Sequence, residues 1–297
     1  MTLKARINEN APVIAPGVYD ALGAVLAAEA GFSTCYLSGA SIAYTRFGRP
    51  DLGYFGVETL TDIVSSIRDR SEIDLIVDAD TGFGNALNVQ RTVRLLERAG
   101  ASAIQLEDQS MPKRCGHLGD KRLVSAEEMV GKVKAACDAR RSAETLIVAR
   151  TDAVAVEGLQ SGLDRAARYA EAGADILFVE ALPDEAAMRE ATRALSGSAP
   201  VLVNVVEGGR TPILPAEAFG KMGFKIVIFP GGLVRAVART MRLYFASLME
   251  KGSTAAFRDN MLDFRGINEI VETERTLATG ALYDPARFVH GSDVVSS

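Results

Sequence analysis

Residues 113–117 read KRCGH, in a chain with three cysteines and two histidines. A thiol set among Lys113, Arg114 and His117 is biased towards ionisation, or towards easy proton transfer at sulfur. Cys115 can therefore serve as nucleophile, metal ligand or proton donor, and the plain alternative is an exposed loop thiol. Gly116 and Gly119 give this stretch the backbone freedom to fold over a ligand and open again. The other cysteines, Cys35 and Cys137, stand at no zinc-type spacing. Cys35 lies in an apolar run and Cys137 in a helical pattern, so both read as inert, and His290 reads as a surface residue.

The second group with chemistry is acidic. In DADTG (78–82), Asp78 and Asp80 sit two apart on an expected strand, so both side chains can face one way. Two such carboxylates repel unless a cation or proton lies between them. Glu107, ending a later apolar run, adds a third. Carboxylates without a Cys/His set suit a hard cation with oxygen ligands: Mg2+, with Mn2+ as substitute. Arg150 ends another run. It can pair with Glu180, or take a substrate carboxylate in a bidentate grip. A nucleophilic Cys115 leaves the acids unexplained. A proton donor accounts for both, if the metal steadies a carbanion-like intermediate.

Something must bring these residues together. Eight short apolar runs recur: VIAP (13–16), TCYLS (34–38), LIVDAD (75–80), AIQLED (103–108), LIVART (146–151), ILFVEA (176–181), VLVNVV (201–206) and IVIFPG (226–231). They lack polar alternation, as strands buried on both faces do. Between them lie helical patterns at 86–100, 158–173 and 184–195; the first stripes Val89, Val93, Leu96 and Ala99. AEAGFSTCYLS (28–38), ERAGASAIQLE (97–107) and AEAGADILFVE (170–180) align as a repeat, with KMGFKIVIFPG (221–231) as a looser copy. In each, a helix ends at a glycine suited to the left-handed conformation and a strand follows. The reading is an α/β fold, a single (β/α)8 barrel over 1–250 with a C-terminal helical extension and tail over 251–297. An open doubly wound sheet is the competing fold. In a barrel, groups at the C-terminal strand ends do the chemistry: Tyr36, Ser38 and Gly39; Asp78 and Asp80; Glu107 and Asp108; Arg150 and Asp152; Glu180; Asn204 and Glu207.

Composition narrows the setting. At 297 residues and 48% apolar, the chain can bury a large core. A net charge of −5 argues against a general binder of nucleic acid or anionic membrane. No apolar run reaches membrane-spanning length and no signal segment is visible, so the expected setting is reducing and cytoplasmic.

Seven motifs, YLSGAS (36–41), GRPDLG (48–53), DADTGFG (78–84), EDQ (107–109), KRCGH, ARTDA (149–153) and the glutamate of FVEA (178–181), together resemble the isocitrate lyase and phosphoenolpyruvate mutase superfamily over about residues 10 to 270. The cysteine loop resembles the lyase branch. By matching position, the resemblance implies Asp80 as the direct Mg2+ ligand, with Asp51, Asp78 and Glu107 around it through water. It implies that Ser38, Gly39, Ala40 and Arg150 grip a keto-acid moiety. Tyr36 handles the proton of a 2-hydroxyl. Cys115 protonates the carbon left after cleavage, supported by Lys113, His117 and Glu180. Asn204 and the 207–212 loop, with Glu207, Gly208 and Gly209, face the other product. A homotetramer with exchanged C-terminal helices is implied too. Gly208 followed by Arg210 looks closest to the 2,3-dimethylmalate lyase and petal-death-protein branch. The expected reaction is C2–C3 cleavage of a 2-alkylmalate to pyruvate and a carboxylic acid through an enediolate. Alternatives are a 2-methylisocitrate lyase, an oxaloacetate hydrolase or decarboxylase, and a non-catalytic keto-acid-binding barrel.

Overall fold

The eight apolar runs form eight parallel strands in the computed structural model, which describes residues 1–116, 119–209 and 211–285. His117, Arg210 and His290 lie outside the described residues. The strands are β1 (Val13–Val18), β2 (Thr34–Leu37), β3 (Asp74–Asp78), β4 (Ala103–Glu107), β5 (Leu146–Thr151), β6 (Ile176–Val179), β7 (Val201–Asn204) and β8 (Ile226–Phe229). They pair in chain order, and β8 pairs with β1 to close the barrel. Closure excludes the open doubly wound sheet.

The missing polar alternation now has its cause. One set of strand residues, including Ala15, Tyr36, Ile76, Ala103, Val148, Ile176, Phe178, Leu202 and Ile228, packs inside the barrel. The other set, including Cys35, Leu37, Leu75, Val77, Ile104, Leu106, Ile147 and Leu177, packs under the helices. Both faces are dry, so both are apolar. Leu3, from the short helix α1 (Leu3–Arg6), and Ile7 join the interior set beside the strand-starting Val13 and Leu146. They stopper the N-terminal end.

The helices between strands are α2 (Ala21–Glu29), α3 (Gly39–Phe47), α4 (Val57–Arg68), α5 (Ala86–Ala99), α6 (Ala126–Ala139), α7 (Val154–Glu157), α8 (Leu159–Glu171), α9 (Glu185–Leu195) and α10 (Ala216–Lys221). Helix α5 buries Val89, Val93 and Leu96, as its spacing predicts, with Thr92 beside them and Ala99 half-buried, and an Asn85–Asn88 capping box starts it. The four repeat glycines, Gly31, Gly100, Gly173 and Gly223, have φ of 91°, 105°, 108° and 102°. Each turns the chain from helix to strand with a backbone that L side chains resist.

By internal contacts the chain divides into Met1–Val237 and Ala238–Ser297. Helix α11 (Gly232–Lys251) runs from the first into the second, which also holds a 3-10 turn (Ala255–Asn260), α12 (Phe264–Ile270) and α13 (Thr273–Ala281). The second unit exposes Met241, Phe245, Met249, Phe264 and Leu277 in the single chain. Among the described residues, no helix is long and apolar enough to cross a membrane.

Candidate active site

The barrel's period of two delivers the site. On five strands an interior apolar residue is followed, two positions on, by a polar one at the C-terminal end. Ile76 leads to Asp78, Ala103 to Gln105 and then Glu107, Val148 to Arg150, Phe178 to Glu180, and Leu202 to Asn204. All six polar side chains are buried. Register sets their heights, with Glu107 directly opposite Arg150. Asp108 falls on the other face. It accepts from Thr151 Oγ1 (2.7 Å), the Asp152 N–H (2.9 Å) and Tyr169 OH (2.8 Å), so it ties strand ends to helix α8 outside the mouth.

Asp78 and Asp80 do meet, though not as two residues of one strand. Strand β3 ends at Asp78, and Asp80 takes a left-handed φ of 48°. The turn is held because the Asp80 N–H donates to Asp78 Oδ1 (3.3 Å) and the Glu107 N–H donates to Asp80 O (2.8 Å). Ser38 caps α3 by accepting from the Ser41 N–H at 3.2 Å. Gly39 then lies so close that an added Cβ would stand 3.5 Å from Asp78 and 3.6 Å from Asp80. The first N–H groups of a helix have no partner within it and suit an anionic ligand. Ser38, Gly39 and Ala40 thus bring donors to the edge of the acidic cluster.

Lys113 reaches in from the loop after β4. Its ammonium is held between Asp51 and Asp80, 2.7 Å from Asp80 Oδ1. Arg114 instead bonds Gly119 O (3.3 Å) and pairs with exposed Asp120. Of the cations expected around Cys115, one serves the acids and one the outer surface. Cys115 itself is half-buried. Its neighbour Gly116 is packed onto the far half of the mouth, where an added Cβ would stand 2.3 Å from Arg150 Nη2 and 2.7 Å from Glu180 Cγ. That contact brings the cysteine loop to Arg150 and Glu180.

Arg150 pairs with three carboxylates: Asp152 (Nε to Oδ2, 2.9 Å), Glu180 (3.3 Å) and Glu107 (3.4 Å). Its guanidinium carbon lies 5.1 Å from the centre of the Phe178 ring. Asn204 Nδ2 donates to Glu180 Oε2 at 3.1 Å. Of the two expectations for Arg150, the pairing with Glu180 is the one the structure shows. Tyr36 OH donates to Gln105 Oε1 (2.9 Å), and Gln105 Nε2 donates to Asp78 Oδ1 (3.0 Å). Gln105 was not among the expected site residues, although the spacing 103, 105, 107 on one strand face could have revealed it.

Glu207, Gly208 and Gly209 form a turn on the exposed rim, with φ of 78° at Gly208. Glu207 is engaged by Arg235 of α11 at 2.6 Å. Neither Arg235 nor Lys121, which pairs with Asp152 at 2.7 Å, carries a motif that would mark it in sequence.

Electrostatics show what the mouth lacks. Buried carboxylates at Asp51, Asp78, Asp80, Glu107, Asp152 and Glu180 outnumber the buried cations Lys113, Lys121 and Arg150. Burial pushes the Asp80 carboxyl up to about 7, with Lys113 opposing and Asp78 adding. Burial likewise lifts Glu107 well above the carboxylate range, against Arg150. Burial disfavours charge on Arg150, yet Asp152, Glu107 and Glu180 outweigh it and hold the guanidinium firmly protonated. Asp152, buried between Arg150 and Lys121, stays below its ordinary value. Burial, then Asp78, keeps the Tyr36 phenol neutral.

Glu107 Oε1 is buried and accepts no hydrogen bond, whereas Asp80 Oδ1 faces the Lys113 ammonium at 2.7 Å. A buried carboxylate oxygen without a partner, such as Glu107 Oε1, fits a missing positive partner. Among the described residues, no three His, Cys, Asp or Glu side chains form a direct cage. The donor set suits a hard ion held by one carboxylate, with water between it and the others, as Mg2+ is often bound.

The model of the family described as phosphoenolpyruvate phosphomutase matches residues 3–249. A 2-methylisocitrate lyase of Aeropyrum pernix is 48% identical over 261 residues, covering 88% of this chain and 83% of that one. A 2,3-dimethylmalate lyase of Eubacterium barkeri is 40% identical over 274 residues, covering 90% and 94%. The solved structure of a phosphonopyruvate hydrolase in complex with oxalate and Mg2+ superposes with a TM-score of 0.86 at 30% identity, covering 95% of this chain and 99% of that one.

Proposed function

Because the chain belongs to the phosphoenolpyruvate mutase/isocitrate lyase superfamily, we propose that it is a Mg2+-dependent carbon–carbon lyase. It cleaves C2–C3 of a 2-hydroxy dicarboxylate and releases pyruvate. The observation that carries this reading is the packing of Gly116, next to Cys115, onto Arg150 and Glu180. It brings a proton-bearing thiol and a carboxylate-binding cation to one side of an acidic mouth.

The residues divide the work. Arg150 and the N–H groups at Gly39 and Ala40 bind the keto-acid half of the substrate. Tyr36, kept neutral and donating to Gln105, accepts the hydrogen bond of the 2-hydroxyl and orients it, and the proton that must leave goes to an ionised carboxylate of the acidic mouth. As C2 becomes a carbonyl, the electron pair of the C2–C3 bond stays on C3 as an enediolate-like anion. Cys115 donates its proton to that carbon. Glu180, held by Asn204 and Arg150, lines the same side. When bound at Asp80, with Asp51, Asp78 and Glu107 around it, Mg2+ supplies the positive charge that neutralises the developing oxyanion.

The 2-alkylmalates, with 2,3-dimethylmalate first, are the favoured substrates. A third carboxylate needs a cation on the outer rim, and among the described residues Arg235 there is engaged by Glu207. The 48% identity to a 2-methylisocitrate lyase favours the tricarboxylate as a second reading.

The test couples pyruvate release from 2,3-dimethylmalate to lactate dehydrogenase, with Mg2+ and again with excess EDTA. EDTA-sensitive pyruvate is expected, and Cys115→Ser should lower turnover by about 10²-fold or more. Parallel runs use 2-methylisocitrate and oxaloacetate. Oxalate and acetate from oxaloacetate would mark a hydrolase instead. Pyruvate binding without turnover of any of the three would leave only a binding barrel.

A further inference from the structure

Lys121 follows the cysteine motif by several residues, yet its side chain is 2% exposed. Its ammonium makes two contacts. It donates to the carbonyl of Gly116, the residue after Cys115, and to Asp152 Oδ1 at 2.7 Å. Asp152, itself fully buried, is the carboxylate that Arg150 grips with Nε at 2.9 Å and Nη2 at 3.1 Å. One carboxylate oxygen thus receives both Lys121 and Arg150, and one ammonium holds both that carboxylate and the cysteine loop.

A lysine is rarely buried this completely unless paired. The second cation changes two things. It gives the Gly116 carbonyl a charge-assisted bond, stronger than a neutral one. It also divides the Asp152 charge between Lys121 and Arg150.

We propose that Lys121 is a positioning residue: through Gly116 O and Asp152 it fixes Cys115 and Arg150 in one geometry, so that the proton donor and the carboxylate grip are set together. This rests on the lyase reading for its catalytic consequence, whereas the positional claim stands on its own.

The experiment measures iodoacetamide alkylation of Cys115 and Cys35 by peptide mass spectrometry, in wild type, Lys121→Met and Lys121→Arg, with and without pyruvate plus Mg2+. Losing a charge-assisted hydrogen bond should speed Cys115 alkylation by about tenfold in Lys121→Met. Pyruvate protection should disappear there and return in Lys121→Arg. Cys35 is fully buried and reports unfolding in the same sample. If Cys115 in Lys121→Met alkylates at the wild-type rate and keeps its protection, the proposal is wrong. If Cys35 reacts too, the comparison moves to Lys121→Gln, which retains a donor but no charge, and the same rise or its absence decides. In turnover, kcat should fall while the Mg2+ requirement is unchanged. Should wild type turn over no tested substrate, the lyase reading fails and the alkylation result still judges Lys121.

Discussion

Gly116→Ala tests the geometry of the mouth with a single methyl group. The φ of Gly116 lies outside the left-handed region, so alanine brings no backbone strain of its own. All of its effect comes from collision. The new Cβ would stand 2.3 Å from Arg150 Nη2, 2.7 Å from Glu180 Cγ and 2.9 Å from Glu180 Oε2. Ordinary contact begins near 3.4 Å, so the loop or Arg150 must yield by about 1 Å, and a misplacement of that size costs about 10²-fold in rate. The expected loss in kcat is therefore about 10²-fold, or about 2.7 kcal/mol of barrier. The melting temperature should hardly move, because the displaced groups are a loop and two side chains rather than packed core. Gly119→Ala is the control, since nothing lies within 4 Å of its added Cβ. It should stay within about twofold of wild type. Steady-state pyruvate release on both variants, with a thermal melt of each, decides the matter. Near-wild-type turnover by folded Gly116→Ala would mean that the loop need not rest on Arg150 and Glu180 during catalysis.

Two further outcomes follow from the acids and from Cys35. Asp80→Ala should raise the Mg2+ concentration for half-maximal activity more than Asp51→Ala does, the latter by about 10-fold as for an outer partner; equal shifts in a Mg2+ titration would undo the distinction between direct and water-linked ligand. Burial pushes the Cys35 thiol up to about 12, with Arg68 opposing. The folded chain then keeps a proton that the unfolded chain releases above about pH 8.5. Stability should fall as pH rises through this window, by about 1.4 kcal/mol per pH unit from this group. Urea unfolding between pH 9 and 10.5 should show a shallower fall in Cys35→Ala than in wild type, and parallel slopes would remove the thiol as a cause.

The sequence by itself determined repeated αβ units and favoured the barrel, while closure of β8 onto β1 excluded the open doubly wound sheet. Eight apolar runs without polar alternation read as strands covered on both faces, and glycines closing each repeat set the turn from helix to strand. It also placed polar residues at the strand ends, because the same period of two that hides Ile76, Ala103 and Val148 carries Asp78, Glu107 and Arg150 into the mouth. Some of this was legible and still passed over: Gln105 lies in that register between Ala103 and Glu107, and its link to Tyr36 and Asp78 follows from the strand face. Other features were decided only by tertiary structure. Asp80 reaches the acids through a left-handed turn off the strand end, which the spacing of two had attributed to the strand itself. Lys113 turns to Asp51 and Asp80, although its neighbours in sequence suggested a role at the thiol. Arg235 meets Glu207 across the rim, and Lys121 meets Asp152 below it. Strand periodicity is a local rule and survives in any window of sequence. The pairing of a buried charge is not local: it goes to whichever opposite charge the closed barrel brings within reach, and only closure fixes that choice.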